Sequence, residues 1–217
     1  MKGIENKKVP PKYILNKAKI LHCQYNFKKL GDIDISELIK NLENVKESDW
    51  VSDGARNKMR THSKIHTLPI RWKSESLGQG FVNKIENNDW YDSLNFKKLE
   101  NELLSIYKKN YGDGFIHKII LANMPPNWSI QEHMDSGPSL MLVHRTHIPI
   151  ITNEFVTFYV GNESKKMLEG EVWEINNAQY HSVNNEGLDW RLHLIVDYYP
   201  YKGLSDIVNE KSSLFWF

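Results

Sequence analysis

The sequence predicts a mainly β protein, a double-sheet jelly roll with flanking helices. After Gly114 the chain consists of short runs rich in β-branched and aromatic residues, separated by Gly, Pro and Asn. Only two segments, both before that point, show the three- or four-residue spacing of apolar side chains that an amphipathic helix requires. Helices and strands therefore do not alternate as they would in a βαβ fold. With 217 residues, 40% of them hydrophobic, the chain is long enough to bury one sizeable core.

The part of the chain before residue 113 contains both predicted helices and one predicted strand. The first helix covers residues 37–42 and follows Asp34-Ile35-Ser36, a segment that contains residue types that cap helix N-termini. The second helix covers residues 95–110, and Gly112 supplies its stop. Between them, residues 65–72 alternate polar and apolar side chains like a strand. The apolar face of the second helix is formed by Phe96, Leu99, Leu103 and Tyr107.

Six further strands are predicted after residue 114. Pro125, Pro126 and Asn127 form a turn after the first of them. In the last strand, Leu192, Leu194 and Val196 share an apolar face, because side chains alternate along a strand. The opposite face carries Arg191, His193, Ile195 and Asp197 and is expected to line a polar cavity. The predicted strands are residues 115–123, 128–133, 140–151, 155–160, 170–176 and 190–199.

We expect one structural domain with three regions. Residues 1–112 form a helix and strand region that packs on the core and contributes to a ligand pocket. Residues 113–200 form the β core, and residues 201–217 form a C-terminal tail. This tail is strongly apolar and is expected to cover the core or to join a dimer, so the protein is expected to be a monomer or a homodimer.

Charge and cysteine content limit the function classes. The net charge is +1, with 28 basic and 27 acidic residues, which favours neither nucleic acid nor a membrane surface as a partner. The lysines among the first 19 residues are expected to form a solvated arm. Cys23 is the only cysteine, so no intramolecular disulfide exists, as suits a reducing compartment. No apolar leader or membrane-length segment is present, and we expect a cytoplasmic protein.

Three residues have the chemistry and spacing of a metal site: His133, Asp135 and His181. Two imidazoles and one carboxylate are the ligands of facial-triad Fe(II) sites, which keep open positions for a co-substrate and O2. His133 and Asp135 are two residues apart, so on an extended chain their side chains point to the same side. His-x-Asp pairs also occur by chance, and the alternative interpretation is a surface turn with an incidental histidine.

A cation is predicted beside this metal site. Arg191 follows His181 by ten residues, and residues 182–190 are expected to form a hairpin around residues 184–187. Such a hairpin would place His181 opposite Arg191 on neighbouring strands. A guanidinium there would bind a dicarboxylate such as 2-oxoglutarate at the open metal positions. In the alternative interpretation, Arg191 faces solvent and pairs with Asp189.

Arg145 and His147 are a second candidate anion site. They are two residues apart in one predicted strand and therefore share a face. Arg145 can bind a carboxylate through two parallel N–H groups, and His147 can donate one more hydrogen bond. A second carboxylate site is useful because 2-oxoglutarate has two carboxylates. The alternative is that both residues lie on the polar outer face of an edge strand.

Together, these residues resemble the aspartyl/asparaginyl β-hydroxylase-like family of Fe(II)- and 2-oxoglutarate-dependent oxygenases. The matching segments stand in family order and cover about residues 115–199. Asp135 departs from the animal members, which lack the carboxylate ligand. The chain looks closer to small members of the family, some of which hydroxylate free amino acids. The segments are His133-Met134-Asp135, residues 145–150, residues 170–177, His181-Ser182-Val183 and residues 191–197.

The resemblance implies a double-stranded β-helix, which is the cupin-like form of the jelly roll. It implies catalytic Fe(II) held by His133, Asp135 and His181, and a distal 2-oxoglutarate carboxylate held by Arg191. Arg145 and His147 would lie near the metal-bound end of 2-oxoglutarate or near the substrate. O2 would be the second co-substrate.

The implied function is a dioxygenase that hydroxylates an amino acid or an Asp/Asn-type side chain in a peptide, with succinate and CO2 as co-products. His66, Arg71 and Trp72, with the loop 135–140, are candidates for substrate selection. The competing prediction is a non-catalytic or 2-oxoglutarate-independent cupin-like metal-binding protein, which would need neither Arg191 nor a second anion site.

Overall fold

Two antiparallel sheets form the part of the chain that the computed structural model describes, namely residues 25–50, 63–71, 86–135, 140 and 143–201. The six-stranded sheet has the spatial order β1 (Phe27–Asp32), β8 (Glu171–Ile175), β5 (His144–Ile151), β10 (Arg191–Pro200), β3 (Gly114–Met124) and β2 (His66–Arg71). The four-stranded sheet has the order β4 (Trp128–His133), β9 (His181–Asn185), β6 (Val156–Val160) and β7 (Glu163–Lys165).

From β3 to β10 the chain passes back and forth between the two sheets, which is the topology of a jelly roll. An apolar cluster lies between the sheets and takes side chains from both, including Ile120 and Ile195 from one sheet and Phe158 and Val183 from the other. The predicted fold class, a mainly β double-stranded β-helix with flanking helices, is confirmed.

Three α-helices accompany the sheets in the described ranges, α1 (Ser36–Leu42), α2 (Trp90–Ser93) and α3 (Phe96–Tyr111), and Glu47–Asp49 forms a short 3-10 helix. The predicted apolar face of α3 is buried, and Leu103 and Tyr107 belong to one cluster with Leu192 and Leu194 of β10. The helices therefore cover the outer face of the six-stranded sheet, as predicted. Gly112, with φ of 77°, ends α3 in a conformation that favours glycine. None of these helices is long and apolar enough to cross a membrane.

The first helix begins at Ser36, and its capping residue lies within the predicted segment 34–36. Ile35 occupies the N-cap position, and its side chain makes no capping hydrogen bond. Asp34 takes that role, because its Oδ1 accepts hydrogen bonds from the backbone N–H of Ser36 at 3.0 Å and from the Ser36 hydroxyl at 2.6 Å.

The N-terminal region is part of the sheet as well as a layer on it. β1 and β2 form the two edges of the six-stranded sheet, so this region both completes the sheet and packs on it. β1 was not predicted, because its lysines give it the polar pattern of an edge strand. β7 and α2 were not predicted either, since each has only three or four residues. The predicted strand 140–151 begins only at His144.

The predicted hairpin between His181 and Arg191 is wrong. β9 pairs with β4 and β6, and β10 pairs with β3 and β5, so neither strand has an edge left for the other. The connection after Asn185 instead crosses from one sheet to the other. Asn185 holds this crossing, because its side-chain Nδ2 donates to the carbonyl oxygens of Pro125 and Asp189.

Several expectations concern residues outside the described ranges and stay predictions. These are the lysine-rich arm, Cys23, Trp72, most of the loop 135–140 and the apolar tail after Tyr201.

A buried carboxylate joins α3 to the outer face of the sheet. Glu174 of β8 is fully buried and accepts hydrogen bonds from Tyr25, from Tyr111 of α3 and, at 2.6 Å, from Nδ1 of His144. Burial alone would raise the pKa of Glu174, but these hydrogen bonds and the His144 charge outweigh it and lower the pKa to about 2. The ionised form of Glu174 is therefore the one that stabilises the fold.

We expect Glu174→Gln to lower the free energy of unfolding at pH 7 by about 3 kcal/mol, which is the shift from 4.5 to about 2 converted to energy. Because the folded-state pKa is depressed, this contribution is present above pH 4.5 and is lost as the pH falls toward 2. The difference in free energy of unfolding between wild type and Glu174→Gln should therefore become smaller in acid. Urea unfolding at pH 7 and at about pH 3 measures this difference, and Glu43→Gln, at an exposed position, is the control. A gap that stays constant with pH would contradict this role of Glu174.

Candidate metal centre

Strand pairing brings the two candidate imidazole ligands together. His133, the last residue of β4, lies directly opposite His181, the first residue of β9, and the two ring centroids are 4.3 Å apart. Asp135 follows β4 by two residues, and its backbone N–H donates to the carbonyl oxygen of Asn177 at 3.1 Å. One ligand atom from each of the three side chains lies within 4.8 Å of the others. The His-Asp-His group predicted from sequence is therefore assembled at one end of the four-stranded sheet.

The hydrogen bonds of both imidazoles direct the same nitrogen toward this centre. Nδ1 of His133 lies 2.8 Å from the carbonyl oxygen of Gln131, and Nδ1 of His181 lies 2.9 Å from that of Gln179. A carbonyl oxygen only accepts hydrogen bonds, so each Nδ1 carries the proton. In its neutral form, each ring then has its lone pair on Nε2, and this is the form that binds a metal ion.

Asp135 is largely buried, with its side chain 13% exposed, and it is ionised. Burial would raise its pKa, but the positive charge of Arg145 outweighs burial and holds the pKa well below its usual range. Both side-chain hydrogen bonds to Asp135 end on Oδ2: one from Nη1 of Arg145 at 2.6 Å and one from Nδ2 of Asn177 at 2.9 Å. These contacts leave Oδ1 as the oxygen available to a metal ion.

Arg145 binds two carboxylates of the chain itself. Its Nε and Nη2 donate to the two oxygens of Asp197, each at 2.8 Å, while Nη1 donates to Asp135. Three of its five N–H groups are thus engaged within the described residues. The alternative of a polar outer face is wrong, since Arg145 and His147 are both buried between the sheets. A direct contact of Arg145 with a ligand stays a prediction.

Buried polar side chains extend from the metal centre toward Arg191, which is only 2% exposed at the start of β10. Phe158 lies between His181 and His147, with ring centroids 6.5 and 4.9 Å from them. His147 in turn lies 6.0 Å from His193, again between ring centroids. The alternative in which Arg191 faces solvent is wrong, because Arg191 is buried.

The two histidines of this group, His147 and His193, are buried and neutral. His147 is 7% exposed and His193 is 1% exposed. Within the described residues, Nδ1 of His147 and both ring nitrogens of His193 have no hydrogen-bond partner. Burial and, next, the charge of Arg191 hold the pKa values of both rings well below the usual range.

Of the residues predicted to select substrate, Arg71 lies elsewhere. Its Nη1 donates to Glu100 of α3 at 2.6 Å and to the carbonyl oxygen of Ile116. This ion pair is on the helix-covered face of the sheet, so Arg71 does not reach the metal centre. The His66 ring contacts that of Trp190 in a tilted arrangement, with ring centroids 5.3 Å apart.

Comparisons with known proteins agree with this arrangement. A family model described as Aspartyl/Asparaginyl beta-hydroxylase matches residues 37–200. No curated protein sequence matches the chain.

Solved structures show the same fold at low sequence identity. One is an oxidoreductase of the 2OG-Fe(II) oxygenase family from Burkholderia pseudomallei, 14% identical, with a TM-score of 0.63 over 87% of this chain and 92% of that one. Another is AviO1 from Streptomyces viridochromogenes Tue57, 11% identical, with a TM-score of 0.50 over 91% of this chain and 98% of that one. Because the family model spans more than half of the chain and the fold agrees with it, this protein belongs to the aspartyl/asparaginyl β-hydroxylase family of oxygenases.

Proposed function

We propose that the protein is a dioxygenase that hydroxylates an amino acid or an Asp/Asn-type side chain of a peptide, with succinate and CO2 as co-products. The observation that carries this proposal is a series of buried polar side chains between two groups, which we infer to line one pocket. A His-Asp-His group lies at one end, and the buried cation Arg191 lies at the other.

The residues at the first end fit Fe(II). Two imidazoles whose Nδ1 atoms hydrogen-bond to carbonyl oxygens, together with one ionised carboxylate, form the facial-triad donor set. Together with family membership, this group supports Fe(II) as the metal and 2-oxoglutarate as the co-substrate. His133, Asp135 and His181 would hold the metal ion.

The residues along the pocket fit a dicarboxylate. Burying a polar group without a hydrogen-bond partner costs free energy, yet this pocket contains three such nitrogens on His147 and His193. A neutral imidazole has one N–H donor, so each ring can donate to a carboxylate oxygen. Arg191 supplies the charge that a buried carboxylate requires. We infer that Arg191 anchors the distal carboxylate of 2-oxoglutarate, and that His147 and His193 donate along its length.

Bound Fe(II) and 2-oxoglutarate supply the oxidation of a substrate C–H bond by O2. The protein's own residues bind and orient. Arg145 and Asn177 hold Asp135 in place, the Gln131 and Gln179 carbonyl oxygens fix the two imidazoles, and the apolar cluster between the sheets keeps water away.

The alternative of a cupin-like protein that binds a metal without 2-oxoglutarate does not account for the buried Arg191 or for the unsatisfied histidines beside it.

An assay separates the two functions. Protein loaded anaerobically with Fe(II) is given O2, 2-oxoglutarate and a panel of amino acids and Asp- or Asn-containing peptides. We expect succinate formation that rises with one panel member and is lost in His181→Ala. Metal binding with no affinity for 2-oxoglutarate would support the alternative.

We expect Arg191→Met to weaken 2-oxoglutarate binding by about two orders of magnitude, because the variant leaves a buried carboxylate without its cation. Arg191→Lys should lose less, since it keeps the charge but not the planar fork. The measurement is the Kd for 2-oxoglutarate of metal-loaded protein, with metal affinity determined in parallel. The solvent-exposed Lys97→Met removes a charge from α3 and serves as the control. Unchanged 2-oxoglutarate affinity in Arg191→Met would exclude Arg191 as the anchor.

His193→Leu should stabilise the ligand-free protein by about 1 kcal/mol at pH 7.5, since it removes buried polar atoms that lack partners. The gain should grow as the pH falls below 6.5, the ordinary histidine pKa. Below that pH the unfolded chain binds a proton that the folded His193 does not, so wild type loses stability. The urea midpoints of wild type and variant at about pH 7.5 and pH 5.5 test this expectation. In a separate binding measurement, His193→Leu should bind 2-oxoglutarate more weakly than wild type. A variant less stable than wild type at both pH values would contradict the prediction.

A further inference from the structure

The hydrogen bonds around Asp135 are asymmetric. Oδ2 accepts one hydrogen bond from Arg145 and one from Asn177, and both donors belong to buried side chains. A carboxylate with two donors on one oxygen cannot rotate without breaking both bonds. These two bonds therefore fix the orientation of the carboxylate and leave Oδ1 without a hydrogen bond from the described residues.

Asn177 reaches Asp135 in two ways. Its side-chain Nδ2 donates to Oδ2 of Asp135, and its backbone carbonyl oxygen accepts from the Asp135 N–H at 3.1 Å. The same Nδ2 also donates to the carbonyl oxygen of Leu140 at 3.2 Å, on the far side of the loop that follows Asp135. Asn177 is fully buried, so water does not replace these bonds.

The turn that contains Asn177 also orients the third ligand. Two residues further on, the carbonyl oxygen of Gln179 accepts the Nδ1 proton of His181. The N–H of Gln179 donates to the carbonyl oxygen of Asn176 at 3.0 Å, and this bond closes the turn. The N–H of Asn176 donates to the carbonyl oxygen of Asn26 at 3.0 Å, which connects the turn to the chain before β1. One short turn therefore contacts two of the three candidate ligands.

We propose that Asn177 is a positioning residue for the metal ligand Asp135, which it holds so that Oδ1 faces the metal ion. This inference rests on the proposed metal centre and adds a residue outside its ligand set. Groups that orient metal ligands contribute about 10- to 100-fold to metal affinity. Loss of the Asn177 amide should weaken metal binding by that factor, although Asn177 does not touch the ion.

The test compares four variants with wild type. Asn177→Ala removes the amide, and Asn177→Ser is a milder second variant whose hydroxyl is too short to reach Asp135. Asp135→Ala removes the ligand itself. Asn184→Ala removes a half-buried amide from β9 that points away from the centre, and it serves as the control. Co²⁺ is the probe, and its Kd is measured by titration for each protein.

The metal-induced rise in Tm is the readout that a purely structural role would not change. If Asn177 only supported the fold, its variants would lower the Tm of the metal-free protein but would gain the normal increment with Co²⁺. We expect instead that both Asn177 variants bind Co²⁺ about 10- to 100-fold more weakly and gain a smaller increment, while Asn184→Ala behaves as wild type.

Two results would overturn this inference, and they are distinguishable. Wild-type Co²⁺ affinity in both Asn177 variants, with affinity lost in Asp135→Ala, would exclude the role of Asn177 and leave the metal centre intact. Wild-type affinity in Asp135→Ala would exclude Asp135 as a ligand, and the proposed metal centre would fail with it.

Discussion

The arrangement of the site depends on one buried ion-pair network, Asp135–Arg145–Asp197. Arg145 and Asp197 lie opposite each other on the neighbouring strands β5 and β10, and Asp135 follows β4 of the other sheet. Burying any one of these charges alone would cost several kcal/mol, so each requires its partners. The network therefore joins the two sheets at the end where the candidate metal ligands meet. It also explains why Arg145 is buried and ionised, and why Asp135 stays a carboxylate despite its burial.

The space between the sheets is divided into an apolar part and a polar part. The apolar part contains side chains such as Ile120, Phe158 and Val183, which stabilise the fold. The polar part contains Arg191 and the histidines His147 and His193, whose unpartnered ring nitrogens gain little from burial unless a ligand binds them. Apolar side chains at these positions would make the fold more stable. Buried polar groups of this kind are typical of binding sites, where ligand affinity is gained at the expense of fold stability.

The positions of most strands and of the candidate ligands could be predicted from the sequence, but the strand pairing and the contacts between distant side chains could not. Apolar spacing identified α3, and alternation along the last strand placed Leu192 and Arg191 on opposite faces. The His181–Arg191 hairpin failed because local turn signals do not reveal which strands occupy the neighbouring edges. Contacts such as Arg145–Asp197 and Asn177–Asp135 join residues 52 and 42 positions apart, and no local pattern in one sequence shows such pairs. β1 was missed because an edge strand needs few apolar residues.

The most direct test of the central claim is a crystal structure of the protein with Mn²⁺, which does not support turnover, and 2-oxoglutarate. The metal ion is expected on Nε2 of His133, Oδ1 of Asp135 and Nε2 of His181. The far carboxylate of 2-oxoglutarate is expected on Arg191, with the imidazole of His147 or His193 within hydrogen-bond distance. A metal ion bound elsewhere, or a dicarboxylate bound away from Arg191, would contradict the assignment of this pocket as the oxygenase site.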